Sequence, residues 1–156
     1  MQKFYEAILG AKNRIYYQTK FEQFDKEGSG IKASWNWPAL FFSGIWALYR
    51  KMYGWFFLFW GLVTISNILE KSGAEGLSGI VLGVPAILFA IFSNSFYHKK
   101  ISKKIGKAKN KIDDENKLLE YLEYKGGVNA WVIWVFGAIP VLGILAAILL
   151  PMFAGK

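Results

Sequence analysis

Cysteine is missing from all 156 residues, which excludes disulfides, thiolate metal sites and thiol nucleophiles. A single histidine, His98, excludes a histidine cluster. Charge is scarce too: charged residues make up 19% of the chain, where a soluble domain usually carries about a quarter. Hydrophobic residues reach 54% and aromatics 18%, with seven tryptophans. A soluble core could absorb part of that excess. Its arrangement points elsewhere, because the apolar residues are gathered in long runs and the charges sit between them.

Three runs lack any charge. The first, Met52 to Leu69, has 18 residues and as a helix covers about 27 Å, enough for a bilayer's hydrocarbon core. The second, Leu77 to Tyr97, has 21 residues, and the third, Val128 to Ala154, has 27. Pro85 and Pro140 fall inside them; membrane helices tolerate such residues as kinks. A fourth stretch, ASWNWPALFFSGIWALY from Ala33 to Tyr49, is shorter: its uninterrupted part, Pro38 to Leu48, covers about 16 Å. Trp35, Trp37 and Trp46 suit the headgroup level, so an interfacial or re-entrant helix is expected here, with a full span as the alternative. The opening residues, MQKFYEAILGAKNR, contain no apolar core of signal-peptide length. Insertion is therefore expected to be directed by the internal runs.

The expected architecture is an all-α membrane protein with three transmembrane helices. Residues 1–32 form a cytoplasmic amphipathic region, helical from Gln2 to Glu27, and 33–51 the Trp-rich helix. Spans follow at 52–69, 77–97 and 128–154. Between the last two, residues 98–127 form a Lys-rich helix with Ile101, Ile105, Ala108, Ile112, Glu115, Leu119 and Leu122 on one stripe. Gly126 and Gly127 end it. With the N-terminus in the cytoplasm and the C-terminus outside, 17 of the 19 Lys and Arg lie inside, and only Lys71 and Lys156 outside. That asymmetry is the positive-inside pattern, and the expected location is a bacterial-type inner membrane.

Few residues suggest chemistry. FDKEGSGIK, Phe24 to Lys32, resembles the start of a calcium loop, with Asp25, Glu27 and Ser29 at alternate positions and Gly30 at the turn. Position twelve is Asn36, however, so the bidentate carboxylate is missing and a Gly-rich turn is the simpler reading. No metal or cofactor is expected, and no catalytic constellation is visible, so the chain is read as a non-enzyme. No Asp, Glu, Lys, Arg or His lies within the three runs, which counts against coupled transport. Candidate lipid or partner contacts are Trp35, Asn36, Trp37, Trp46, Tyr49, Arg50 and Lys51, with Lys99, Lys100, Lys103 and Lys104 of the basic cluster. Arg50 can grip lipid phosphate or stack on Trp46 or Tyr53. Gly79 with Gly83, and Gly143 with Ala147, form small-residue faces; helix packing within the chain is the simpler use, a dimer face the alternative. Nucleic acid is not an expected partner, because no aromatics interleave with the lysines.

The stretch from Tyr16 to Tyr53 resembles the domain of unknown function 2628 family. The resemblance rests on Trp35-Asn36-Trp37, Gly44 with Trp46, and Tyr49-Arg50-Lys51-Met52-Tyr53. It departs at Ile45, where many members carry Pro, and continues more loosely to Lys125-Gly126-Gly127. It implies an integral membrane protein of bacteria or their phages and supplies no activity. The expected function is a non-enzymatic module that binds a partner membrane protein or organises anionic lipid headgroups at the cytoplasmic face. The alternative is a self-assembling passive pore built from a homo-oligomer.

Overall fold

The N-terminal region is two helices rather than one. In the computed structural model, which describes residues 1–154 and side chains through Leu149, α1 spans Gln2–Leu9 and α2 spans Arg14–Lys26. Gly10 (φ 65°) and Asn13 (φ 56°) sit between them in left-handed conformations that no helix can continue through. The chain doubles back, and Tyr5, Ile8 and Leu9 of α1 are buried together with Tyr17, Phe21 and Phe24 of α2.

After α2 the chain runs extended along a later helix. Asn36 then caps α3 (Trp37–Tyr49), its Oδ1 accepting from the Ala39 amide at 3.0 Å, and Pro38 occupies the first turn. Midway, Ser43 takes φ 23° and ψ −96°, breaking α3 into two short arms. Just past that break Gly44 meets the next helix closely, since a Cβ there would lie 2.9 Å from Phe59 Cβ. The following helices are α4 (Tyr53–Lys71) and α5 (Glu75–Lys109), an antiparallel pair joined by Ser72–Ala74. Phe89 of α5 gathers their aromatic seam, with Phe59 and Trp55 at 5.0 Å and Trp46 of α3 at 5.7 Å between ring centres.

The stripe expected along one Lys-rich helix is divided between two. The second apolar run and the lysines share the single 35-residue α5, whose Ile101, Ile105 and Ala108 are buried. It ends at Asn110. Asp114 then caps a new helix, α6 (Glu115–Lys125), by accepting from the Lys117 amide at 2.9 Å. The new start changes the register: Leu118 and Leu122 are buried, Leu119 only half so, and Glu115 is exposed. Gly126 and Gly127 do end the helix, but they also receive α1. The Gly127 amide donates to the Ile8 carbonyl at 2.9 Å, and a Cβ on Gly126 would collide with that same oxygen.

The last segment comprises α7 (Trp131–Ile133), a π-helical turn (Trp134–Ala138) and α8 (Ile139–Ala154). The wide turn lies just ahead of Pro140, whose ring would clash with a carbonyl in a regular α-helix. Among the described residues, Glu75–Lys109 and Trp131–Leu149 are the two stretches long and apolar enough to cross a membrane. The third expected span is not among them. At 19 residues α4 has the length, but Tyr53, Trp55, Trp60, Asn67 and the terminal Glu70-Lys71 dilute its apolarity. The small-residue faces also depart from expectation: a Cβ on Gly79, Gly83 or Gly143 would meet nothing, and Ala147 is exposed, so none packs within the chain.

Gly126→Ala is expected to lower unfolding stability by about 1–3 kcal/mol through overpacking against α1, and Gly79→Ala to change it by less than about 0.5 kcal/mol. Denaturant titration of the purified protein followed by circular dichroism checks both.

Candidate functional site

The end of α3 is where the molecule converges. A helix C-terminus leaves carbonyls without partners, and here neighbouring segments supply the donors. Asn129 donates its side-chain amide to the Leu48 carbonyl at 2.8 Å and its backbone amide to that of Tyr49 at 2.9 Å. From α5, the Lys100 ammonium donates to the carbonyls of Arg50 at 2.9 Å and Lys51 at 2.6 Å. Lys51, in a left-handed conformation (φ 58°), turns its own ammonium to the Gly126 carbonyl, and Lys104 reaches that of Lys125.

This corrects the reading of the basic residues as outward contacts. Lys51, Lys100 and Lys104 are spent on backbone carbonyls, whereas Lys99 and Lys103 are exposed. Burial, reinforced by the nearby Lys104 and Lys51 ammonium groups, pushes Lys100 down to about 8. Lys104 is lowered by burial and then by Lys51 and Lys125.

Arg50 is the largest change of role. Its side chain is buried, with 2% of its surface exposed. The guanidinium faces neither Trp46 nor Tyr53 but three other tyrosines, 4.2 Å from the ring centre of Tyr17, 5.3 Å from Tyr49 and 5.4 Å from Tyr97. Its Nη1 donates one long bond, 3.5 Å, to the Lys12 carbonyl, while the buried Nε has no partner. No carboxylate among the described residues comes within 4.0 Å of it. An arginine cannot shed its proton to escape, so a full positive charge sits in an aromatic cage without a counter-ion.

Arg50 lines a hollow of about 370 Å³ between α2, α3 and the last segment, with Asn13, Tyr17, Phe42, Tyr49 and Phe136 among its walls. Phe42, Ile45 and Phe136 also border a second, almost wholly apolar groove of about 500 Å³ that continues along α4 to Phe56, Phe59, Trp60 and Val63, with Leu82 of α5 opposite.

The Trp-rich element divides by exposure. Trp35 and Trp37 are exposed at 42% and 59%, with ring centres 5.1 Å apart, and Trp37 stacks on the exposed Phe41. Asn36 and Trp46 are buried, the first bonded through Nδ2 to Asn94 Oδ1 at 2.8 Å. Both are internal supports rather than contacts. Asn94 in turn donates to Tyr16 Oη and to Ser34, fixing the extended lead-in against α5.

Sequence reasoning missed a second polar cluster. Tyr5 donates to Asp25 Oδ2 at 2.8 Å, and His98 Nε2 lies 2.9 Å from Asp25 Oδ1, so α1, α2 and α5 are pinned at one point. Asp25, noted above only as a calcium-loop look-alike, is engaged in this clamp. Burial and then the Asp25 carboxylate keep the Tyr5 hydroxyl protonated well above the usual phenol range. No group of three metal-ligating side chains comes together among the described residues.

A family model described as a protein of unknown function (DUF2628) matches residues 9–103, which take in the Trp35–Trp37 element and Tyr49–Tyr53 but stop short of Gly126-Gly127. Comparisons with curated proteins and with solved structures find no match.

Because Lys100 holds its proton less tightly in the fold than in the unfolded chain, stability is expected to rise with pH between about 8 and 10. Above that window Tyr5 and Tyr17, both raised by burial, act in the opposite sense. Lys100→Met should flatten the rise and, by stripping two carbonyls of their donor, cost about 1–3 kcal/mol at neutral pH. Thermal unfolding across the pH series reads both effects.

Proposed function

This chain belongs to the DUF2628 family of proteins of unknown function, and on that footing we propose that it is a non-enzymatic integral membrane module that organises lipid at the cytoplasmic face of a bacterial-type inner membrane. The carrying observation is the division of burial along the chain. Residues on α1, α2, α6 and the lysine half of α5 form a conventional buried core. The apolar half of α5 turns Leu77, Ile80, Val84, Ile87 and Leu88 outward, and the described part of the last segment does so with nearly all of its large hydrophobic side chains, Ile139, Leu142 and Ile144 among them. Apolar surface on that scale needs a non-aqueous surrounding.

Three crossings remain the proposal, although α4 is less apolar than the other two candidates. If α5 crosses, its antiparallel neighbour α4, joined to it by three residues, must cross as well. Phe57, Leu58, Val63 and Ile65 on the outside of α4 suit that place. The broken α3 then lies at the cytoplasmic boundary, with Trp35 and Trp37 at the headgroup level that such side chains favour. The basic residues fall on the same side, and the C-terminus outside. Lys99 and Lys103 remain as free basic groups toward anionic headgroups, each contributing about 1 kcal/mol near such a surface.

The alternative of a passive homo-oligomeric pore has one observation in its favour: Gly79, Gly83 and Gly143 face open space. It predicts a multimer in mild detergent and ion leakage from liposomes; a monomer that leaves liposomes tight removes it.

The absence of native cysteine makes orientation directly measurable. A membrane-impermeant maleimide is expected to label Lys71→Cys in intact cells and Lys103→Cys only after permeabilisation. Labelling of both variants in intact cells, or recovery of the protein in the supernatant after detergent-free ultracentrifugation, would rule out the proposed topology.

A further inference from the structure

We propose that Arg50 is the headgroup anchor of a specific site for one anionic glycerophospholipid, whose phosphate meets the guanidinium and whose acyl chain lies in the adjoining groove. The inference deepens the membrane reading above and rests on it. Three observations converge. The guanidinium is buried and permanently charged, with an orphaned Nε and no acidic partner among the described residues. Buried charges of this kind are ordinarily paired, so the missing counter-charge is expected to come from a ligand. The hollow Arg50 lines and a larger apolar groove share Phe42, Ile45 and Phe136 as walls, so a charged end and an apolar end lie side by side as in a lipid.

The placement also fits. Arg50 precedes the first residue of α4 by three positions, which puts it at the level where a spanning helix enters the hydrocarbon. Phe56, Phe59 and Val63 follow at depths of about 5–15 Å along that helix, where the first part of an acyl chain would lie. Arginine suits a phosphate because its planar fork can donate two parallel hydrogen bonds, and the tyrosine faces of Tyr17 and Tyr97 hold that fork from turning away. A site on the exposed Lys99 and Lys103 would show neither this depth nor this geometry.

The test uses the full chain, purified in neutral detergent after its need for detergent has been established. Native mass spectrometry with added phosphatidylglycerol is expected to retain one lipid per chain at collision energies that strip phosphatidylcholine. Arg50→Met should reduce that retention at least tenfold, and Lys107→Ala with Lys111→Ala, both exposed, should leave it unchanged. Arg50→Met should also unfold in lipid-free detergent at or above the wild-type temperature, because it removes an unpaired buried charge, yet lose the thermal protection that phosphatidylglycerol gives. Should that variant fail to fold, Val63→Trp, placed on the groove and away from Arg50, is expected to cut retention while leaving lipid-free stability intact. Equal retention of the two lipids, retention indifferent to Arg50 or Val63, or protection by inorganic phosphate alone as strong as that by lipid would each overturn the site. A protein that needs detergent but shows no headgroup preference overturns this site and leaves the membrane reading standing; one that is soluble without detergent removes both.

Discussion

Everything in this structure leans on the disposal of three backbone carbonyls, those of Tyr49, Arg50 and Lys51. They lie at a helix end that is enclosed by the rest of the chain, where leaving them bare would cost about 1–3 kcal/mol each. Asn129 and Lys100 supply the donors from segments some eighty and fifty residues away. Because those donors come from α5 and from the approach to the last helix, meeting a local need of the backbone fixes the global arrangement. The three elements are locked together at this point.

The same junction explains why two basic residues side by side in sequence take opposite parts. Lys51 has a flexible stem and a compact ammonium, and it bonds a backbone carbonyl. Arg50 directs its flat, delocalised cation among three tyrosine rings, where a weakly hydrated guanidinium is tolerated better than an ammonium would be. Tyr17, Tyr49 and Tyr97 come from three different helices, so the cage exists only once α2, α3 and α5 have assembled.

The amino-acid sequence exposed the helical nature of the whole chain, the long apolar runs and the helix end at Gly126, all of which depend on local pattern. It concealed what depends on distant partners. Nothing in Tyr49-Arg50-Lys51 signals that Arg50 turns inward, because an arginine beside an apolar run ordinarily stays at the interface. Two misreadings did carry usable signals. Gly10 and Asn13 are residue types that tolerate left-handed backbone, and they foretell the break between α1 and α2. Lys100 and Lys104, four apart and each next to a buried isoleucine, lie beside the packed stripe rather than opposite it, which foretells their inward turn. The dilution of α4 by Tyr53, Trp55, Trp60 and Asn67 was visible too, though an uncharged run hides it when only charges are counted.

The unbroken course of α5 has a mechanical meaning. From Ala86 to Lys109 no proline interrupts it, and those 24 residues make a rod about 36 Å long. A bilayer that thins or thickens is met by a change in helix tilt, at modest energetic cost. A stiff rod converts that tilt into sideways travel of its far end, where α6 and α1 are docked. In the proposed membrane placement, the arm of α5 within the lipid follows bilayer thickness, and the shorter arm beyond Tyr97 carries α6 and α1 with it.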